Sequence, residues 1–267
     1  MDKIISLTSI PSRFSYLSST IGSLIRQNAC DEIRLNIPRA YRRFPDWDGY
    51  IPKFPSAVNV VRCDEDLGPA TKILPTALDH RNSDIQILFC DDDGIHPNNW
   101  AKNLFELQQA MPDKAIATWG RCIDELPNVK RYSNKKYVEI QHLKYDLRYR
   151  FERLLQKIGS YQPLHRPVKR AGFAHVLLGV GGVVVKPNFF NIESTTIPVE
   201  AFLVDDIWLS AQLALNNIEI YCPKRFPVPF SNEAESVNSL FDMEIEGGRR
   251  KLNYQALLWC RENLNCW

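Results

Sequence analysis

Short β-branched runs, at Ile4–Thr8, Ile33–Ile37, Val58–Val61, Ile85–Cys90 and Ile116–Trp119, alternate with segments of helical period, and this alternation constrains the chain more than any other feature. Parallel neighbours need long crossovers, so the pattern predicts an α/β fold: a mostly parallel central sheet with helices on both faces. Tyr16–Gln27 follows Ser15 as N-cap and places Leu17, Ile21, Leu24 and Ile25 on one stripe. Pro69–Leu78 reads as a helix opened by proline. Asn99–Met111 repeats the period through Trp100, Leu104, Leu107 and Met111. A glycine-rich strand (Leu178–Val185), a helix from Val204 to about Leu215, a strand (Ile218–Cys222) and a terminal helix (Arg249–Asn263) complete one domain over 1–267. Residues 1–120 and 176–267 form its halves, and 121–175 reads as an insertion.

The 267 residues are 45% hydrophobic and 24% charged, enough to bury a core and unlike disordered, collagenous or coiled-coil chains. A net charge of +2 gives no bulk reason to expect nucleic acid as a partner. Charge is nevertheless segregated: residues 121–170 hold 13 Lys plus Arg against 5 Asp plus Glu, a net of +8, which leaves −6 elsewhere. There Leu147, Phe151, Leu154, Leu155 and Ile158 form one helical face, with Arg148, Arg150, Arg153 and Lys157 largely off it. Such a helix either packs its apolar face on the domain or makes a peripheral contact with anionic lipid. Residues 38–55 interleave prolines with Tyr41, Phe44, Trp47, Tyr50 and Phe54, as in an ordered rim loop. Seven scattered cysteines suit a reducing compartment. The opening residues lack a secretory pattern, and the longest apolar stretch, Val176–Val185, is about half of the roughly 20 residues a spanning helix needs. The expected setting is cytoplasmic, with any membrane contact peripheral, at the inner face of the plasma membrane through 121–170.

The sharpest chemical feature is the apolar run Ile85–Cys90 ending in Asp91-Asp92-Asp93-Gly94. The carboxyl end of a strand faces the ligand crevice of an α/β sheet. Alternation along an extended chain directs Asp91 and Asp93 one way and Asp92 another, and two convergent carboxylates invite a hard divalent cation. A solvated acidic turn is the plainer reading. Asp205-Asp206 follows the apolar Ala201–Val204 and opens a helix: one aspartate suffices for capping, and the second is a candidate general base. In Asp64–Lys72 a strand passes through a glycine turn into a helix start carrying Lys72, a geometry that attracts phosphate, although a surface lysine is common there. Gly179–Gly182 fails the dinucleotide fingerprint, and phosphate-loop, nucleophile-elbow and paired-cysteine motifs are missing. The five histidines share no zinc spacing, and His96 is the one nearest the acidic run.

Together, Ile5–Arg13, Asp66–Lys72, Asp91–Asp93, Gly181-Gly182 and Asp205–Ser210 resemble the nucleotide-sugar-dependent glycosyltransferases of the GT-A fold, a Rossmann-like single domain. The likeness is to bacterial members that build polysaccharide such as lipopolysaccharide or capsule, and covers most of the chain outside the insertion. It implies a nucleotide-sugar donor and a glycan or lipid-linked glycan acceptor. It sets Thr8, Pro11 and Arg13 beside the nucleoside, and Asp66, Lys72 and Asp92 among the donor-binding groups. Asp91 and Asp93 match the Asp-x-Asp motif that holds Mn²⁺ or Mg²⁺, and Gly181 and Gly182 line the donor and acceptor side. Asp205 and Asp206 become the acidic pair near the acceptor hydroxyl, with Asp206 as base in an inverting displacement. No histidine lies beyond His175 to serve as the further metal ligand that many members supply. Two other functions fit parts of the pattern: a haloacid-dehalogenase-like phosphatase using Asp91 and Asp93, and a carbohydrate-binding protein without turnover.

Overall fold

The computed structural model describes residues 1–129, 136–142, 145–156, 159, 163–191, 197–238 and 248–267. Its first part runs β1 (Lys3–Thr8), α1 (Leu17–Ile25), β2 (Glu32–Pro38), β3 (Val58–Cys63), α2 (Leu74–Asp79), β4 (Gln86–Phe89), β5 (Gly94–Ile95), α3 (Trp100–Ala110) and β6 (Lys114–Ala117). It continues through β7 (Gly120–Arg121), β8 (Glu139–Ile140), α4 (Leu147–Gln156), β9 (Val168–Arg170), β10 (Gly172–Ala174), β11 (Val176–Leu177) and β12 (Val183–Val185). The chain closes with α5 (Asp205–Leu215), β13 (Glu219–Cys222), β14 (Phe230–Ser231) and α6 (Gly248–Leu264).

Eight strands make one sheet in the order β10-β13-β6-β12-β4-β1-β2-β3. Six run in one direction; β12 and the edge strand β10 run against them. The α/β architecture with a mostly parallel sheet is therefore present, and β10, from the 121–175 segment, closes one edge of it. Alternating side chains divide the core in two. Ile5, Leu7, Leu88 and Cys90 face one layer with α1 and α3, through Ile21, Leu24, Trp100 and Phe105. Ile4, Ile87 and Phe89 face the other, with α2, α5 and α6, through Leu74, Trp208 and Leu257. Each such side chain removed from water contributes on the order of 1.5–3 kcal/mol, and because both faces of the sheet are covered, shifting a strand by one residue would send each row into the opposite layer and disrupt the packing of both.

Three local expectations are corrected. Ser15 caps nothing; a 3₁₀ turn (Pro11–Tyr16) leads directly into α1. The helix expected over Pro69–Leu78 splits into a 3₁₀ turn (Gly68–Lys72) and α2, breaking at Ile73. Pro75 explains the break, because its ring would clash with the carbonyl four residues earlier in a continuous helix. The strand expected over Leu178–Val185 is interrupted by a 3₁₀ turn (Gly179–Gly181), after which Gly182 adopts φ +93°. A Cβ on Gly182 would lie 2.1 Å from the Trp100 ring. Among the described residues no helix is long and apolar enough to cross a membrane.

Candidate active site

A cavity of about 520 Å³ opens at the carboxyl edge of the sheet. The segments leaving β1, β3, β4 and β6, and the start of α5, supply its walls. In chain order these include Thr8, Ser9 and Arg13, then Asp66 and Gly68, the Asp91–Asp93 run, Trp119, and Asp205 with Asp206. The rim loop adds Tyr41, Arg43 and Phe44. Tyr41 stacks edge-on with both Phe44 and Trp47, so this proline-rich segment is ordered by its aromatics.

At the floor, Lys72 is 4% exposed and its ammonium lies 2.7 Å from Asp91 Oδ1 and 3.0 Å from Asp205 Oδ2. One cation thus joins two acidic motifs more than a hundred residues apart. Burial alone would favour neutral lysine, but Asp205, Asp91 and Asp206 outweigh it and hold the ammonium charged well above the usual lysine range. Its backbone is held too: the Ser6 hydroxyl donates to the Lys72 carbonyl at 2.6 Å and is itself tied to Thr76 and Asn36. The break before Pro75 makes this placement possible by taking residue 72 out of a regular helix.

Arg13 forms the second anchor. Its Nη1 donates to Asp92 Oδ1 at 2.7 Å and to Asp93 Oδ2 at 3.3 Å, and its Nε donates to the Val237 carbonyl at 2.8 Å. Asp92 also accepts from Ser9, while the Thr20 hydroxyl donates to its carbonyl. Burial raises the Asp92 carboxyl above its ordinary range despite the guanidinium. Asp93 is pushed up to about 7, first by burial and then by the neighbouring charges of Asp91 and Asp92. Asp206 is also pushed up to about 7, by burial and next by Asp205. It accepts the Gly179 N–H at 3.0 Å. A Cβ on Gly179 would lie 2.6 Å from Lys72 Nζ and 3.1 Å from Asp206 Oδ1.

Thr8, Arg13, Asp66, Lys72, Asp91, Asp92, Asp93, Asp205 and Asp206 all reach this one cavity. Several details differ from the sequence reading. Strand alternation does not separate Asp92 from its neighbours, because β4 ends at Phe89 and the acidic residues lie in the following turn. Asp91 instead turns to Lys72, and Asp92 shares Arg13 with Asp93. Lys72 closes a 3₁₀ turn deep in the floor rather than standing at a helix start. Pro11 starts the turn after β1 and does not line the cavity, and neither do Gly181 and Gly182. Those two glycines accommodate Thr118 and Trp100: a Cβ on Gly181 would lie 1.9 Å from the Thr118 hydroxyl. The glycine that matters to the acidic groups is Gly179; the run was visible in the sequence, but which member approaches Lys72 was not. His96 is buried against Trp100, its Nδ1 bonded to Ser23, and burial lowers it to about 3. It belongs to the core. Trp119 and Ser9 lie inside segments already singled out, at the end of Ile116–Trp119 and within Ile5–Arg13, but neither residue type by itself announces a ligand.

The donor chemistry suits a hard cation in part. Asp91 and Asp93 are oxygen donors at the cavity wall, and the Asp93 carboxyl is raised first by burial and then by the charges of Asp91 and Asp92. Asp92 is committed to Arg13 and Ser9. Among the described residues no group of three or more His, Cys, Asp or Glu side chains is arranged to hold a metal ion. Asp91 and Asp93 are themselves bonded to Lys72 and Arg13, so they offer only a partial donor set, each carboxylate shared with a cation, and further coordination falls to substrate oxygens or water.

No protein-family model matches the chain, and no curated protein matches it. Among solved structures, S. aureus TarS residues 1–349 is similar over 98% of this chain and 72% of that one, at 11% identity and a TM-score of 0.45. The same protein in complex with UDP-GlcNAc is similar over 92% of this chain and 62% of that one, at 10% identity and a TM-score of 0.48. A longer TarS structure is spanned over 37% of its length, at 11% identity and a TM-score of 0.44.

Proposed function

We propose that this protein is a glycosyltransferase that moves a sugar from a nucleoside-diphosphate sugar to an acceptor hydroxyl. The observation that carries the reading is the convergence of Asp91–Asp93 and Asp205-Asp206 on Lys72 and Arg13 in one cavity at the carboxyl edge. Two cations and a carboxylate with a raised pKa suit a reaction that expels a polyanion and draws a proton from a hydroxyl.

In the proposed reaction Asp206, deprotonated, accepts the acceptor hydroxyl proton while that oxygen attacks the anomeric carbon from the face opposite the leaving group. The bond from the anomeric carbon to the diphosphate oxygen breaks, and the electron pair departs with the nucleoside diphosphate. One displacement inverts the configuration. Asp91 and Asp93 are the residues that would hold Mn²⁺ or Mg²⁺, whose chemistry there is Lewis-acid neutralisation of the departing diphosphate. Lys72 keeps Asp91 and Asp205 oriented and adds fixed positive charge, and Arg13 does the same for Asp92 and Asp93. Tyr41, Phe44 and Arg43 on the rim suit a planar base, with Thr8 close to the nucleoside.

The test is a screen of nucleoside-diphosphate sugars for thermal stabilisation, with and without Mn²⁺, followed by product analysis. Stabilisation by one class of sugar nucleotide, and transfer with inverted configuration, are expected. Release of inorganic phosphate from phosphosugars, with no sugar nucleotide bound or consumed, would replace this reading with a phosphatase.

A further inference from the structure

α4 is turned inside out. Leu147, Phe151 and Leu154 are 75%, 61% and 55% exposed, and Leu155 is 38% exposed. Its buried member is instead the acid Glu152, at 4% exposure. Glu152 accepts from Arg148 at 2.9 Å, from Arg166 at 3.1 Å and from the Leu164 N–H at 3.0 Å. The bonds from Arg166 and Leu164 hold the polar side of the helix to the protein and leave its apolar side outward. On a helix of 3.6 residues per turn the four apolar side chains span about 100° of arc, with Arg148 and Arg150 bordering it on either side. Arg153 lies further round and is also exposed. Ile158 and Lys157, the remaining members of the sequence pattern, lie outside the described residues.

We propose that α4 docks in the plane of an anionic phospholipid bilayer, its leucines and phenylalanine among the acyl chains and its bordering arginines at the phosphates. The +8 charge of residues 121–170 supplies the long-range attraction. The exposed side of α4 carries no acid, because its one acid is turned inward and engaged. A second copy seated face to face on this helix would therefore bring like-charged arginines together. An outward stripe on a single helix also lacks the groove that a partner helix would fill, whereas a fluid acyl layer needs none.

The position of α4 links docking to the cavity. Tyr149, on its inner side, meets His165 edge-on at 6.2 Å between ring centroids, and His165 meets Trp119 at 5.3 Å. Trp119 lines the cavity. α4 thus stands two ring contacts from a residue that lines the cavity, and lipid bound by α4 would bring an acceptor anchored in it to this side of the site. That last consequence rests on the proposed transfer reaction; the docking itself does not.

The experiment is co-sedimentation of the full chain with phosphatidylcholine vesicles with and without phosphatidylglycerol, at low and high salt. Binding only to phosphatidylglycerol-containing vesicles, weakened at least about tenfold by high salt, is expected. Phe151→Gln should weaken it about tenfold or more, and Arg150→Gln with Arg153→Gln about fivefold per arginine. Since these side chains are exposed, unchanged circular dichroism and melting will show that the variants fold. Leu154→Trp should give indole emission that shifts to the blue with anionic vesicles. Failure to bind them, binding insensitive to both sets of variants, or unshifted emission would overturn the proposal. So would lipid-independent dimerisation abolished by Phe151→Gln, or binding to an acidic protein that is indifferent to Phe151→Gln. Stabilisation by sugar nucleotides, measured on the same variants without lipid, should stay unchanged, so failure of docking and failure of the transfer reading are told apart.

Discussion

The floor of the cavity and the outer face of α4 depart in opposite directions from the rule that charge faces water and carbon faces inward. At the floor, Lys72 and Asp205 are 4% and 5% exposed. On α4, Phe151 stands 61% exposed while Glu152 is buried. The first inversion is expensive if incomplete, since an unpaired buried charge is disfavoured by several kcal/mol. The protein meets it by drawing carboxylates from the turn after β4 and from α5 to Lys72, and from that same turn to Arg13. The second costs the fold little, because water around an exposed leucine is already the unfolded state's condition. One region therefore depends on the whole tertiary structure, while the other is a surface held by a few bonds to Glu152.

Breaking the floor should give the largest effect. Lys72→Met removes the cation between Asp91 and Asp205 and should cost about 3–5 kcal/mol in urea unfolding, with donor stabilisation lost in parallel. Asp206→Asn comes next: transfer should fall about 10²–10⁴-fold while sugar-nucleotide binding persists, because the amide can still accept from Gly179 but cannot take the proton. The pH profile sharpens this. A base raised to about 7 should make the wild-type rate fall as pH drops below 7 and level off above it. The stability sign is opposite: the folded carboxyl keeps its proton to higher pH than the unfolded one, so its contribution is full at acid pH and lost as pH rises through about 7. Asp206→Asn should consequently melt higher than wild type at pH 8.

Gly179→Ala tests how tightly the floor is assembled. Its Cβ would press on Lys72 Nζ, which two carboxylates pin, so a loss of about 1–3 kcal/mol and a slower transfer are expected together. The smallest stability effect belongs to α4. Phe151→Gln should change unfolding free energy by no more than about 0.5 kcal/mol, and a larger loss would mean that this ring packs on the protein after all.

The α/β class, the rim loop and the positions of both acidic motifs are legible in the sequence, because each depends on local rules: period, proline and glycine content, and charge at the end of an apolar run. The boundaries near residues 15, 73 and 178 were less legible, since caps and breaks depend on what the neighbouring segment packs against. The choice of Gly179 over Gly181 and Gly182 is of this kind, as is the retreat of His96 into the core beside Trp100. Which side of α4 faces outward was open in the sequence for the same reason.

By itself the sequence determined the main alternation of strands and helices and the inventory of charged side chains, because backbone propensity and side-chain period act over a few residues. Only the tertiary structure decided that Lys72 lies between Asp91 and Asp205, that Arg13 holds Asp92 and Asp93, and that Glu152 rather than Phe151 is buried. Those outcomes depend on desolvation and charge pairing between segments far apart in the chain, and such terms have no value until the sheet has brought the segments together.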